Sequence, residues 1–173
     1  MRNAGQTSRE TNAGSFKPRF LIDGMLGSLA RWLRICGYDV DYNVDKEDQE
    51  LIEIALKGKH ILLTRDKALF QRAKKKEINV CYVTGKTITN RLRQVSSELG
   101  INLTPSITRC PKCNGSLKPT DKNNIKTQIP PKTFKTFHEF WLCTICNSVY
   151  WKGGHWDNIQ NTLNQINAKN PKV

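Results

Sequence analysis

Two Cys-x-x-Cys pairs in the C-terminal half of the chain constrain the fold most. Cys110 and Cys113 form the first pair and Cys143 and Cys146 the second, with 29 residues between the pairs. Each pair can form a tight knuckle with two thiolates facing one tetrahedral ion, and two such pairs complete a closed zinc site. Two disulfides would need an oxidising compartment, and a redox dithiol would need one pair on a helix. We therefore expect a structural Zn²⁺ in a small ribbon that carries a long hairpin or loop, at 121–135, between the pairs.

The residues before this ribbon alternate between short apolar β-type runs and longer runs of helical period. The predicted strands are 19–22, 38–42, 60–63 and 78–83, and the predicted helices are 25–36, 46–57, 67–75 and 87–99. Leu26, Leu29 and Leu33 form an apolar stripe that must pack on a sheet, and Gly37 ends that helix. Asp45 is the expected N-cap of the second helix. This alternation predicts an α/β fold with a parallel sheet flanked by helices.

Changes in composition divide the chain into four segments. The polar residues 1–18 are expected to be a flexible tail, and 19–105 an α/β domain. The helical pattern ends near 103–106, so we assign 106–156 to the zinc ribbon. Residues 157–173 are expected to form a C-terminal helix, over 157–168, and a tail.

The net charge indicates a polyanionic partner. The chain has 28 Lys and Arg against 15 Asp and Glu, a formal charge of +13. A balance this basic favours nucleic acid, although a merely solubilising surface would have the same composition. Of the 15 acids, 11 fall within 19–105. A metal-binding carboxylate cluster beside a phosphate-binding surface would account for that distribution.

The lengths of the apolar runs indicate whether the chain crosses a membrane or carries a secretory signal. None approaches the roughly 18 residues that span a bilayer, so an integral membrane role is not expected. The first residues lack the apolar core of a secretory signal, which leads us to expect a cytoplasmic protein.

Three aspartates follow the predicted strands and are the candidate catalytic residues. Asp23 follows the first strand, Asp66 the third, and Asp48 lies in the segment after the second. The carboxyl ends of parallel strands meet at one edge of a sheet, so these side chains are expected to converge. Carboxylates without thiol or histidine partners select Mg²⁺ or Mn²⁺, which can assist hydrolysis of a phosphodiester. Because such residues stand near helix starts, a role as helix caps is the alternative.

Basic residues in two regions are candidates for contact with RNA. Arg31 and Arg34 are three residues apart on the first helix and, with Arg65, can hold a phosphate. The ribbon lysines lie near aromatic residues that offer stacking surfaces, and His155 follows two glycines. A solvated helix face and a small aromatic core are the alternatives. The candidate phosphate and RNA contacts are Arg31, Arg34, Arg65, Lys112, Lys126, Lys132 and His155.

Four segments resemble the Mut-seven C-terminal (Mut7-C) RNase domain family. They read FLIDGMLGSLARWLRICGYD at 20–39, LLTRD at 62–66, RCPKCN at 109–114 and YWKGGHW at 150–156. The resemblance covers about 19–158 with its motifs in order. It implies a PIN-like sheet followed by a zinc ribbon, and a metal-dependent ribonuclease.

The resemblance also implies roles for individual acids. Asp23 matches the acid that ends the first strand, Asp48 the acid that opens the second helix, and Asp66 the acid of the Thr-Arg-Asp motif. PIN domains often have a fourth acid after the fourth strand, where this chain has Thr-Gly-Lys-Thr at 84–87. Asp41 or Asp45 are candidates to substitute for it.

Metal-assisted cleavage of RNA is therefore the expected function. The main alternative is a non-catalytic protein of the same fold that binds tRNA, rRNA or a ribosome through its basic ribbon. A protein-interaction module, such as the toxin half of a pair, is a third class and would require a tight acidic partner.

Overall fold

Four parallel strands form the first sheet in a computed structural model that describes residues 17–42 and 45–168. They are β1 (Arg19–Ile22), β2 (Asp39–Tyr42), β3 (Ile61–Thr64) and β4 (Val80–Tyr82), in the spatial order β2-β1-β3-β4. Phe20 pairs with Val40 of β2 on one side and with Ile61 of β3 on the other. The predicted parallel α/β fold is confirmed. Of the predicted tails, residues 1–16 and 169–173 lie outside the described residues.

Helices follow each of these strands. They are α1 (Gly27–Ile35), which is preceded by a 3₁₀ turn, α2 (Asp48–Gly58), α3 (Lys67–Lys75) and α4 (Ile88–Leu99). Two further helices, α5 (Pro131–Thr136) and α6 (Gly154–Ala168), come later in the chain. Gly37 has φ of 78° just after α1, a left-handed conformation that suits glycine and ends the helix as predicted.

The predicted Asp45 cap of α2 is wrong, because Glu47 occupies the N-cap position. The Glu47 side chain accepts the backbone N–H of Glu50, and Glu50 Oε2 accepts the N–H of Glu47 at 3.1 Å. This reciprocal capping box satisfies two helix-terminal groups at once, whereas a single cap two residues earlier would lie outside the first turn.

The sheet has a hydrophobic core on each face. Phe20 and Ile22 are fully buried against α1, α4 and α6, while Leu21, between them in sequence, points to the face covered by α2 and α3. Successive side chains of a strand alternate between faces, so a continuous apolar run is what a sheet covered on both sides requires. The result is three layers, helix, sheet and helix.

The C-terminal helix α6 returns to this first core. Ile159, Leu163 and Ile166 are buried there, and α6 packs on α4. The helix begins at Gly154 and so is longer than the predicted 157–168. Within the described ranges, no helix has both the length and the apolar character needed to cross a bilayer.

Three antiparallel strands form a second, smaller sheet. They are β5 (Leu117–Thr120), β6 (Phe140–Cys143) and β7 (Val149–Trp151), in that order. The segment between β5 and β6, predicted as a hairpin or loop, contains a 3₁₀ turn at Lys122–Ile125 and α5. Ile125, Ile129 and Phe140 are buried between this insert and the sheet. A small core of its own therefore holds the insert in place.

Arg34 connects the two sheets through its buried guanidinium. The side chain is 6% exposed and donates to the carbonyl of Val40 from Nη2 at 2.8 Å and from Nε at 3.2 Å. Its Nη1 donates to the carbonyl of Lys112, in the first cysteine knuckle, at 3.1 Å. Burial lowers the pKa of Arg34, and the nearby carboxylates and thiols partly offset that effect. The buried guanidinium therefore satisfies carbonyls of both β2 and the first cysteine knuckle.

Asp39, at the start of β2, accepts hydrogen bonds from two ribbon side chains. Asn114 Nδ2 donates to Asp39 Oδ1 at 2.7 Å, and Arg109 Nη2 donates to Oδ2 at 3.1 Å. Asn114 Oδ1 in turn accepts the backbone N–H of Val40 at 3.1 Å. Because β2 is an edge strand, the sheet itself leaves the N–H of Val40 without a partner, and Asn114 supplies one.

We expect Arg34→Met to lower the free energy of unfolding by about 1–3 kcal/mol, because it leaves buried carbonyls without donors. Urea denaturation followed by circular dichroism measures the change. Arg31→Met, one turn earlier and exposed, is the matched control and should stay within about 0.5 kcal/mol of the wild type. Equal stability of the two variants would contradict a joining role for Arg34.

Candidate functional site

The four ribbon cysteines converge on one point. Cys110 Sγ lies 3.6 Å from Cys146 Sγ, and Cys113 Sγ lies 3.4 Å from Cys143 Sγ. All four sulfur atoms are within 4.8 Å of one another. A disulfide would require about 2.05 Å, so none of these pairs is bonded. The geometry matches a tetrahedral metal site, in which a Zn–S bond of about 2.3 Å places sulfur atoms about 3.8 Å apart.

The surroundings of the cysteine cluster also suit a metal ion such as zinc. The backbone N–H groups of Ile145 and Cys146 both point to Cys143 Sγ at 3.5 Å, as donors in a cysteine knuckle do. The contact with Ser148 Oγ, at 3.2 Å, lowers the pKa of Cys146, which favours the thiolate there, whereas burial raises the pKa of Cys113. Tyr150 Oη lies 3.1 Å from Cys110 Sγ. Such partners orient metal ligands from outside the coordination sphere.

A second candidate site lies at the carboxyl ends of β1 and β3. Asp23 directly follows β1, and its Oδ2 accepts a hydrogen bond from Thr64 Oγ1 at 2.8 Å. Thr64 Oγ1 also accepts the backbone N–H of Asp66 at 2.9 Å. The order β2-β1-β3-β4 changes direction between β1 and β3, and a crevice at such a switch point is where open α/β sheets bind ligands. Thr64, which is fully buried, thus joins two of the predicted catalytic acids.

Thr64 was not among the predicted site residues. Its position as the last residue of β3, two before Asp66, was the available indication, because a strand-end hydroxyl can bond to the following turn. The sequence pattern showed where the acids lie but not which side chain connects them.

Asp23 and Asp66 also serve as helix caps. Asp66 Oδ1 accepts the N–H groups of Ala68 at 2.6 Å and Leu69 at 2.9 Å at the start of α3. Asp23 Oδ1 accepts the N–H of Met25 at 3.3 Å in the 3₁₀ turn before α1. The helix-cap alternative is therefore correct for both residues as a description of their local structure. It is compatible with a site, because the caps fix both carboxylates at one edge of the sheet.

Asp48 has a different partner. It is the first residue of α2, and its carboxylate forms an ion pair with Arg72 of α3. In the part of the chain that the structure describes, the cysteine cluster is the one group of three or more metal-ligand side chains with all ligand atoms within 4.8 Å. The structure thus links the carboxylate of Asp23 to the backbone N–H of Asp66 through Thr64, and it pairs Asp48 with Arg72. Of the suggested substitutes, Asp41 lies 3.3 Å from His60 Nε2.

The candidate RNA contacts lie in several places. Arg65 is half-buried between Thr64 and Asp66. Arg31 is exposed on α1, whereas the donors of Arg34 are directed to carbonyls, so these two arginines differ in what they can bind.

The basic candidates of the ribbon are exposed. Lys126 and Lys132 lie on the insert, where Lys126 Nζ is 5.9 Å and Lys122 Nζ 4.8 Å from the centre of the Phe134 ring. Lys112 lies in the first cysteine knuckle, and His155 is exposed in the first turn of α6. This arrangement offers a cationic surface on the second sheet and a separate group of residues around α1 and α6.

One family model matches most of the chain. It is described as the Mut7-C RNAse domain and matches residues 18–163, which include both sheets, the four cysteines and the three candidate aspartates. No curated protein and no solved structure matches the chain.

We expect Thr64→Val to lower the free energy of unfolding by about 1–3 kcal/mol. The substitution keeps the volume of the side chain but removes the buried hydroxyl, so the N–H of Asp66 and the carboxylate of Asp23 lose a partner. Thermal and urea denaturation measure the change. Thr127→Val, on the exposed surface of the insert, should have an effect within about 0.5 kcal/mol. Similar effects of the two substitutions would show that the hydroxyl does not hold this edge together.

Proposed function

The chain belongs to the Mut7-C RNAse domain family, and we propose that it is a metal-dependent ribonuclease that hydrolyses RNA phosphodiester bonds at the carboxyl edge of its first sheet. The family description indicates a ribonuclease-type activity with RNA as substrate. The observation that carries the finer proposal is the connection of Asp23 to Asp66 through Thr64 at the switch point of the sheet. Their oxygen-only chemistry suits Mg²⁺ or Mn²⁺.

In this proposal Asp23 and Asp66 provide carboxylate oxygens for the cation. Thr64 holds the carboxylate of Asp23 in place, and Asp66 is fixed by the first turn of α3. A divalent ion bound there would supply a water of lowered pKa and neutralise charge on the phosphate. The chain needs no covalent nucleophile for this reaction. Arg65, between the two bridged positions in sequence, is the nearest candidate to hold the phosphate.

Asp48 would complete the set after exchanging its partner. Its carboxylate is paired with Arg72 in the structure. An exposed ion pair of this kind contributes little, so a divalent metal ion would be the stronger partner for the carboxylate. We propose that Asp48 joins Asp23 and Asp66 when metal and RNA bind. Arg72 would then be released toward the substrate.

The ribbon is proposed to bind a structural zinc ion and the RNA backbone. The four sulfur atoms fit the ion, and Lys112, Lys126 and Lys132 would contact phosphates. For Arg34 we propose a positioning role toward the ribbon, because its donors are directed to the carbonyls of Val40 and Lys112. Thiols must stay reduced to bind zinc, which favours a cytoplasmic location.

A non-catalytic RNA- or ribosome-binding protein is the second candidate. The ion pair of Asp48 with Arg72 favours it, since an acid held by an arginine needs no metal. The two candidates share the basic ribbon and differ only in whether Asp23 is required for a product.

We expect Asp23→Asn to reduce Mn²⁺- or Mg²⁺-dependent cleavage of end-labelled RNA by roughly 100-fold or more. Loss of a group outside the coordination sphere already costs 10- to 100-fold in metalloenzymes, and Asp23 is proposed as a direct ligand. Asparagine keeps an oxygen that can accept from Thr64, so folding and RNA affinity should stay near those of the wild type.

The control for this experiment is Asp157→Asn, an exposed acid in the first turn of α6. Its cleavage rate should equal that of the wild type, and EDTA should abolish both. If wild type and Asp23→Asn bind RNA alike and neither cuts structured or single-stranded substrates with either metal, the binding-protein candidate replaces the nuclease.

We expect Cys113→Ser to lose bound zinc and to unfold the ribbon, because a structural zinc site contributes its binding energy to folding. Metal analysis of the purified protein should fall from one equivalent toward none. Cys81→Ala is the matched control, since Cys81 is buried in the first core and lies outside the cluster. Stoichiometric zinc in Cys113→Ser would contradict the assignment.

A further inference from the structure

A cavity of about 100 Å³ lies where α1, the segment that enters the ribbon, the second sheet and α6 meet. Arg31 comes to it from α1 and His155 from α6, two residues 124 positions apart in the sequence. Both are exposed, so the cavity opens to solvent on their side. The docking of the ribbon onto β2 creates this cavity, because each partner supplies part of its wall.

Aromatic rings form part of that wall. Trp156 continues the apolar face of α6, three residues before Ile159 and seven before Leu163, but it is only half-buried while those two are buried. Trp156 thus lies on the apolar side of α6 but beyond the part of the helix that the hydrophobic core covers. Tyr150 also lines the cavity, and its hydroxyl is held against Cys110 Sγ at 3.1 Å. Its ring is therefore fixed by the same knuckle that would bind zinc.

The residues with charged or ionisable side chains that line the cavity are basic. Arg31, Arg109 and His155 line it, and none of its lining residues in the described part of the chain is acidic. Arg109 is already bound to Asp39 and to the carbonyl of Asn114. Arg31 is the exposed arginine of the group. An aromatic wall with a cation at its mouth is the combination that binds a base by stacking and its phosphate by charge.

We propose that this cavity binds one unpaired nucleobase of single-stranded RNA, with the base against Trp156 and the adjacent phosphate on Arg31. The inference rests on the proposed function, since it names a part of the substrate. A base inside a duplex is paired and stacked and cannot enter so small a cavity, so the site selects unpaired RNA. Arg31 lies about 6 Å along the axis of α1 from Gly27, where the helix begins after Asp23. The bound base therefore lies to one side of the phosphate that is cut.

Affinity for two probes tests this site in the full-length protein. The first probe is a labelled short oligoadenylate, and the second has the same ribose-phosphate backbone without bases. Fluorescence anisotropy without added Mg²⁺ or Mn²⁺ gives the dissociation constants without cleavage and without a chelator that would remove zinc from the ribbon. Trp156→Leu should weaken oligoadenylate binding by about 5- to 100-fold, the range for loss of one base-stacking aromatic, and should leave binding of the base-free probe unchanged. Trp156→Phe keeps a ring and should retain most of the affinity.

Trp141→Leu is the matched control. Trp141 is a half-buried tryptophan of the same ribbon that carries Lys152 over its ring and does not line the cavity. It should bind both probes like the wild type. Where Trp156→Leu lowers the melting temperature, photocrosslinking of wild-type protein to thiouridine-labelled RNA decides, and a crosslink at His155 or Trp156 is expected. Unchanged affinity in a folded Trp156→Leu, or crosslinks found only outside the cavity, would overturn the proposal.

The binding assay and the cleavage assay can fail separately. If cleavage depends on Asp23 but Trp156→Leu binds RNA with wild-type affinity, the proposed base site is wrong and the proposed nuclease stands. Base-dependent binding at Trp156 without cleavage of any substrate would remove the nuclease and leave an RNA-binding protein with a mapped site.

Discussion

The hydrogen bonds around Val40 determine how the two sheets of this protein are placed. Val40 lies in the edge strand β2, where its carbonyl accepts from Arg34 and its N–H donates to Asn114. A free strand edge would invite pairing with another chain, and here side chains rather than a further strand cover it. Because Arg34 also donates to the carbonyl of Lys112, the cysteine knuckle is held at a fixed place against the sheet. The cavity between ribbon, α1 and α6 exists only in that arrangement.

The acids proposed to be catalytic lie at another part of the sheet, its carboxyl edge. Parallel strands place the residues after β1 and β3 side by side, and the strand order reverses between them, which is the position at which open α/β sheets bind ligands. Asp23 and Asp66 cap helical turns there, so both carboxylates accept backbone N–H groups, and that of Asp23 also accepts the Thr64 hydroxyl. Such contacts would hold the two acids in place for the proposed cation. Helix capping and the proposed metal site therefore both require a carboxylate at each of these two positions.

Much of this fold could be predicted from periodicity, because alternating apolar runs and helical stripes follow directly from burial on both faces of a sheet. The cysteine spacing likewise predicted one four-sulfur cluster. The contacts of single side chains could not be predicted in this way. Arg34 and Arg31 have equivalent positions in a helical pattern, and only the docking of the ribbon distinguishes the buried one from the exposed one. The same holds for Asp48, whose partner Arg72 comes from the neighbouring helix α3 and is 24 residues away.

The nine-residue helix α1 contacts the carboxylate edge of the sheet, the cavity and the ribbon. Its N-terminal end follows Asp23, Arg31 in its second turn reaches the cavity, and Arg34 in its last turn holds the ribbon. A helix rises about 1.5 Å per residue and changes length little, so it fixes the distance between the carboxylates and the aromatic wall. Because one short helix positions all of these side chains, many of the residues in the motif at 20–39 have a structural role. Under the proposed function, a strand of RNA that contacts both places would bridge that fixed distance, and the helix would set where the cut falls relative to the bound base.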